Sequence, residues 1–264
     1  MLNSPMITVM TNAVRKAARG IARDFGEVEK LQISKKGVAN FVTATDLRTE
    51  KVLLEELGRA RPKFSFLTEE TGAIAGPDAN QRFVMDPIDG TTNFIHAIPY
   101  IAISVGAQKR TDSGEWQTTH GVIYDPIHDE LFVAEAGQGA YANGQRLRVS
   151  ERREDWLIST SSPRVHRKSF AQSLERFQRV TEAGAVLRCS GSAALDLAYV
   201  AAGRLDATWY NHLNSWDMCA GALLVSEALG AVSDISGAPV SSEAGSVLAA
   251  SKTLHAALMK LLAA

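Results

Sequence analysis

Two aspartates sit three residues apart around a proline in Asp86-Pro87-Ile88-Asp89-Gly90-Thr91-Thr92-Asn93-Phe94. Pro87 fixes its own φ and holds Asp86 extended. Gly90 lets the backbone approach a ligand, and the threonines add hydroxyl and N–H donors. Carboxylate oxygens on one side and N–H groups on the other suit a hard divalent cation together with a phosphate. Magnesium prefers a few carboxylates, retained waters and phosphate oxygens to a complete protein cage. Asp, Pro and Gly are also turn residues, so the segment alone reads equally well as a turn.

Three further segments extend the pattern. Phe66-Leu67-Thr68-Glu69-Glu70-Thr71 brings two adjacent acids, and Ser215-Trp216-Asp217-Met218-Cys219-Ala220-Gly221 forms a third acidic segment. Val42-Thr43-Ala44-Thr45-Asp46 brings a fourth. Each has a plainer reading. Asp46 could cap a helix over 47–59. Glu69 and Glu70 could be solvated loop acids. Asp217 falls in the first turn of a helix over 216–229, with Ser215 as candidate cap, where the helix dipole favours an acid without any metal. Cys189-Ser190-Gly191-Ser192-Ala193 opens another helix and suits either polar ligand contact or a tight strand-to-helix turn. Lys35 and Lys36 read as a charged loop. The six histidines show no ligand spacing, and His96 and His212 lie either along a cleft or on the surface.

The elements that must position these residues change character along the chain. Apolar residues Ile7, Met10, Val14, Ala17, Ile21 and Phe25 recur at helical spacing and predict a helix over 5–25, capped by Ser4. An extended stretch near 31–43 follows, then the helix over 47–59. Strands are expected at 82–86 and 100–108. Residues 116–150 are strand-rich, with a tight hairpin at Asn143-Gly144. From 151 onward strands (156–160, 185–189, 206–210, 246–250) alternate with helices (166–180, 191–202, 216–229, 253–262). Residues 1–150 therefore read as helices on a mainly antiparallel sheet, and 151–264 as an α/β half completing one body.

With 264 residues the chain can bury a substantial core. A net charge of −1 gives no electrostatic case for nucleic acid or an anionic membrane. No run of 18 apolar residues predicts a membrane span, and two cysteines suit a reducing cytoplasm rather than a disulfide framework.

Together the four acidic segments resemble, in order, the signatures of the inositol monophosphatase family. The likeness extends over almost the whole chain. It implies alternating αβαβα layers and magnesium-dependent hydrolysis of a phosphate monoester by direct attack of water. By that resemblance Glu69, Asp86 and the carbonyl of Ile88 hold one magnesium, and Asp86, Asp89 and Asp217 hold a second. Glu69 reaches a weaker third ion through water. Thr91 and Glu69 position the attacking water, with Asp46 orienting Thr91. The N–H groups of Gly90 and Thr91 meet the phosphate, Gly191, Ser192 and Ala193 touch the alcohol, and Lys35 assists ion binding. The family also implies lithium sensitivity and a homodimer, and in some bacterial members contact with the transcription machinery. Tyr210 stands where many members carry a glutamate that binds a substrate hydroxyl. The small phosphorylated metabolite is thus inositol 1-phosphate-like, with histidinol phosphate, another sugar phosphate or a nucleotide phosphate as alternatives.

Overall fold

The computed structural model describes residues 4–31, 35–163, 165 and 169–263, with the backbone alone for 28–31 and 35–43. Two long helices open the chain, α1 (Pro5–Leu31) and α2 (Lys35–Ala60). The Ile7-to-Ile21 stripe of α1 is buried as its spacing requires. Ser4 caps it, its Oγ accepting from the Ile7 N–H at 3.3 Å.

Both helices cover one face of an eight-stranded sheet formed by β1 (Phe64–Thr68), β2 (Gly72–Ile74), β3 (Asp78–Asp89), β4 (Ala102–Arg110), β5 (Trp116–Asp125), β6 (Glu130–Glu135), β7 (Gly139–Ala142) and β8 (Gln145–Arg146). The strand order is β2-β1-β3-β4-β5-β6-β7-β8, and only the β1–β3 pair is parallel. A five-residue helix, α3 (Thr91–Ile95), follows β3. Asn143 and Gly144 join β7 to β8 with φ of 45° and 85°, the two left-handed residues of a type I′ turn.

A second sheet holds β9 (Leu157–Thr160), β10 (Val186–Arg188), β11 (Ala207–Asn214), β12 (Ala231–Ser233) and β13 (Ala244–Ala250), in the order β10-β9-β11-β13-β12. Its first three strands run parallel and its last pairs are antiparallel. Helices α5 (Ala193–Ala201) and α6 (Ser215–Glu227) lie between the sheets, while α4 (Phe170–Glu182) and α7 (Lys252–Ala263) cover the outer face of the second. The layers are α, β, α, β, α, as the sequence predicts.

Three apolar clusters fill the four helix–sheet junctions, the middle one spanning both faces of the α5–α6 layer. Alternation along single strands divides them: Val247 and Ala249 of β13 enter the middle cluster, Leu248 and Ala250 the outer one. The small residues Cys219-Ala220-Gly221 let α6 pack closely against the first sheet and α5. A β-carbon on Gly221 would lie 2.5 Å from the Leu197 Cβ, so this close approach admits only glycine.

Two expectations fail near the start. The stretch near 31–43 is helical from Lys35 onward, not extended. Val38, Phe41, Val42 and Thr45 also fit the i, i+3, i+4, i+7 helical spacing, an ambiguity inherent to short apolar runs. Asp46 consequently lies within α2 and is no N-cap. The other helices and strands fall within a few residues of their predicted places. Among the described residues no helix is long and apolar enough to cross a membrane.

Candidate metal centre

Asp86 and Asp89 lie at the C-terminal end of β3, where the pairing with β4 shifts register between them. The Ile88 N–H donates to Asp86 Oδ1 at 2.9 Å, which curls the chain around Pro87. Gly90 then adopts φ 95°, and a β-carbon there would sit 3.0 Å from the Tyr100 carbonyl oxygen. Both facts demand glycine at the turn into α3.

Glu69 reaches Asp86 through strand register. β1 and β3 pair in parallel with Thr68 opposite Met85, and the Glu69 N–H donates to the Met85 carbonyl at 3.3 Å. The Glu69 carboxyl lies beside that of Asp86, close enough for each to shift the other's ionisation. Asp217 arrives from the far side, in the first turn of α6. Its Oδ2 accepts from the Asn214 N–H at 2.8 Å, so Asn214, not Ser215, is the N-cap, because α6 begins one residue earlier than expected. One oxygen each of Asp86, Asp89 and Asp217 lies within 4.8 Å of the others. Asp89 is anchored a second time by α5, its Oδ2 accepting from Ser192 Oγ at 2.6 Å and the Ala194 N–H at 2.7 Å.

These acids cannot all ionise together without a counter-cation. Desolvation first, then Glu69, Asp89 and Asp217, drive Asp86 far above the usual carboxylate range. Desolvation and Asp217 push Asp89 up to about 7. Asp217 rises to about 6, chiefly from desolvation, although the Asn214 N–H opposes it. Glu69 is raised by desolvation and by Glu70, Asp89 and Glu50. A crowded, oxygen-only donor set of this kind fits a hard divalent cation.

The remaining predicted residues take different places. The Thr91 hydroxyl donates to the Ile88 carbonyl at 3.2 Å. No hydrogen bond joins Thr91 to Asp46 among the described residues. Asp46 is buried nearby, raised to about 8 by desolvation and by Glu70, Glu69 and Glu50. Gly191, Ala193 and Tyr210 line a cavity of about 280 Å³ that opens beside Asp89 and Asp217. Ser192 lies beneath it, fully buried, its hydroxyl on Asp89. The side chain of Lys35 lies outside the described residues.

Two buried acids escape the sequence reading. Glu50, one turn beyond Asp46, accepts from the Glu70 N–H at 3.0 Å, the Thr71 N–H at 3.1 Å and the Thr71 hydroxyl. It thereby fixes the loop that carries Glu69. The signal available was an i, i+4 acidic pair on one helix face, a like-charge spacing that costs stability unless something is bound there. Asp196 in α5 accepts hydroxyl hydrogen bonds from Tyr100 at 2.6 Å, from Ser159 and from Tyr210. No local pattern announces it.

Known proteins share this architecture. An inositol-1-monophosphatase of Mesorhizobium japonicum is 43% identical over 262 residues, covering 98% of this chain and 97% of the relative. The Nus factor SuhB of Escherichia coli is 39% identical over 235 residues, covering 88% and 86%. The crystal structure of the extragenic suppressor protein suhB from Bartonella henselae superposes with a TM-score of 0.86 at 41% identity, covering 98% of each chain. Membership of this group supports phosphatase activity. The family model described as the inositol monophosphatase family matches residues 2–264, and the chain belongs to that family.

Proposed function

We propose that the protein hydrolyses a small phosphate monoester with magnesium, inositol 1-phosphate being the first substrate to test. The observation that carries this reading is the convergence of Asp86, Asp89 and Asp217, with Glu69 beside Asp86, on an open cleft. Glu69, Asp86 and the Ile88 carbonyl would hold one cation, and Asp86, Asp89 and Asp217 a second, with Glu69 reaching a third through water. Bound divalent cations supply charge neutralisation on the phosphoryl oxygens and acidify a water towards neutrality.

The chain's own groups do the rest. Glu69 accepts a proton from the attacking water, and the Thr91 hydroxyl orients it. The N–H groups of Gly90 and Thr91 donate to the phosphate oxygens. The α5 turn at Gly191–Ala193 seats the alcohol. Histidinol phosphate, other sugar phosphates and nucleotide phosphates are the alternative esters for the same chemistry. Purified protein is expected to release inorganic phosphate from inositol 1-phosphate with magnesium and not with excess chelator. Chelator-insensitive release, or none from any of these esters, would overturn the reading.

A regulatory role beside catalysis is the second reading, supported by the 39% identity to a Nus factor. It commits to the transcription machinery as partner. An Asp89→Asn variant that still co-purifies with transcription complexes would support it, and loss of any such association in the wild type would remove it. We also assign a homodimer, which sedimentation of the purified chain tests, and a reducing cytoplasmic setting, which suits the free thiols of Cys189 and Cys219.

A further inference from the structure

Strand β11 carries an irregularity beside the cleft. It pairs with β13 in steady register from Ala207 to Tyr210, then resumes at Leu213 with a shift of one residue. Such bulges re-aim side chains next to functional sites. Within it His212 takes φ 60°, the left-handed region that side chains bearing a β-carbon rarely adopt. Glycine would fit that backbone with less strain, so a histidine held there calls for a reason.

The surroundings supply one. His212 is exposed and lines the same cavity as Asp89 and Asp217. Its Nε2 lies 3.4 Å from Ser169 Oγ, at the start of α4. Tyr210, two residues earlier, offers no free hydroxyl to a ligand. Its phenol donates to Asp196, which is fully buried and also takes the Tyr100 and Ser159 hydroxyls. Polar recognition on this wall therefore falls to the bulge and to the neutral side chains near it, Asn211, Ser161, Ser162 and Ser173.

We propose that His212 is a specificity-determining residue of the cleft. It contacts the alcohol part of the ester and selects a neutral, polyhydroxylated alcohol over an unadorned one. With Nε2 beside Ser169, the other ring nitrogen is left to hydrogen-bond a ligand hydroxyl. The inference rests on the phosphomonoesterase reading above.

The test compares wild type with His212→Gly and His212→Asn at saturating magnesium, on myo-inositol 1-phosphate and on 4-nitrophenyl phosphate. Both variants tolerate the left-handed backbone, so folding is not at issue. In His212→Gly, KM for the inositol ester is expected to rise about tenfold, the loss of roughly one hydrogen bond, with kcat nearly unchanged. Both constants for the aryl ester should stay at wild-type values, and His212→Asn should recover part of the lost affinity. Unchanged KM for the inositol ester in His212→Gly overturns the inference, as does an equal rise with both esters. A wild type active on the aryl ester alone overturns the polyol assignment. A wild type inactive on both overturns the phosphatase reading and this inference with it, whereas an active wild type beside an indifferent variant overturns this inference only.

Discussion

At the acidic end of the cleft, each aspartate leaves the end of a regular element and accepts backbone N–H groups: Ile88 for Asp86, Ala194 for Asp89, Asn214 for Asp217. On the wall proposed to meet the alcohol, the side chains come from a bulge in β11 and from the half-buried start of α4. The first end holds its geometry at an electrostatic cost, since like charges are crowded in a desolvated corner. The second leaves its polar groups open and strains only one backbone position. Chemistry that must stabilise one transition state gains from fixed donors. Recognition of an alcohol needs only surface groups that another set could replace. Changes at the acidic end should therefore alter rate and metal dependence, and changes at the other end should alter affinity for particular esters.

The largest effects belong to the acidic end. Asp89→Asn and Asp217→Asn are each expected to lower kcat about a thousandfold, equivalent to ~4 kcal/mol of transition-state stabilisation. The thermal midpoint of the metal-free protein should hold or rise, because each change removes one of the mutually repelling charges. Phosphate release and melting curves in chelator measure the two sides. Full activity in both variants would break the comparison at its root.

The same crowding gives the metal-free protein an inverted pH dependence. Asp217, Asp89 and Asp46 titrate at about 6, 7 and 8 in the folded chain, against about 3.9 for an aspartate when unfolded. The folded state therefore keeps protons that the unfolded state has released. That contribution to stability is complete below about pH 4 and is lost as pH rises through 6 to 8. Melting in chelator should show the midpoint falling over that window, and magnesium should flatten the slope. A midpoint that rises from pH 6 to 8 in chelator would show that these acids do not repel as placed.

The same asymmetry governs what could be read from the sequence. Asp86 and Asp89 were legible because proline, glycine and threonine surround them within nine residues. Glu69 and Asp217 were legible only as parts of a family order. Their meeting depends on the parallel β1–β3 register and on α6 crossing between two sheets, and neither leaves a local trace. Most helices and strands were legible from apolar periodicity, whereas their stacking into five layers was legible only through the family resemblance. Glu50 and Asp196 were not, since a buried acid is recognised by the donors that reach it, here 20 residues away for Glu70 and 96 for Tyr100. Nor did any local pattern announce that α5 turns the Ser192 hydroxyl onto Asp89.

Glu50→Gln sharpens the comparison from behind the metal corner. An amide offers one acceptor oxygen where the carboxylate serves the Glu70 and Thr71 donors with two. The loop bearing Glu69 should loosen, raising the magnesium concentration for half-maximal rate by about 10–100-fold. KM for the ester at saturating magnesium should change little. A rise in KM with unchanged magnesium dependence would move Glu50 out of the metal site and into alcohol binding.

Tyr210→Phe should have the smallest effect, and it asks whether the alcohol end is as loosely built as it looks. The phenol donates to Asp196, which retains Tyr100 and Ser159 as donors when the hydroxyl is removed. One buried hydrogen bond is lost, about 1 kcal/mol of stability. The hydroxyl faces protein instead of the cleft, so kcat/KM for inositol 1-phosphate should fall less than about threefold, below the worth of one lost substrate hydrogen bond. A tenfold fall in kcat/KM with unchanged stability would place the phenol on the substrate. The tyrosine would then recognise a hydroxyl directly, and the bulge at His212 would lose its claim to be the wall that reads the alcohol.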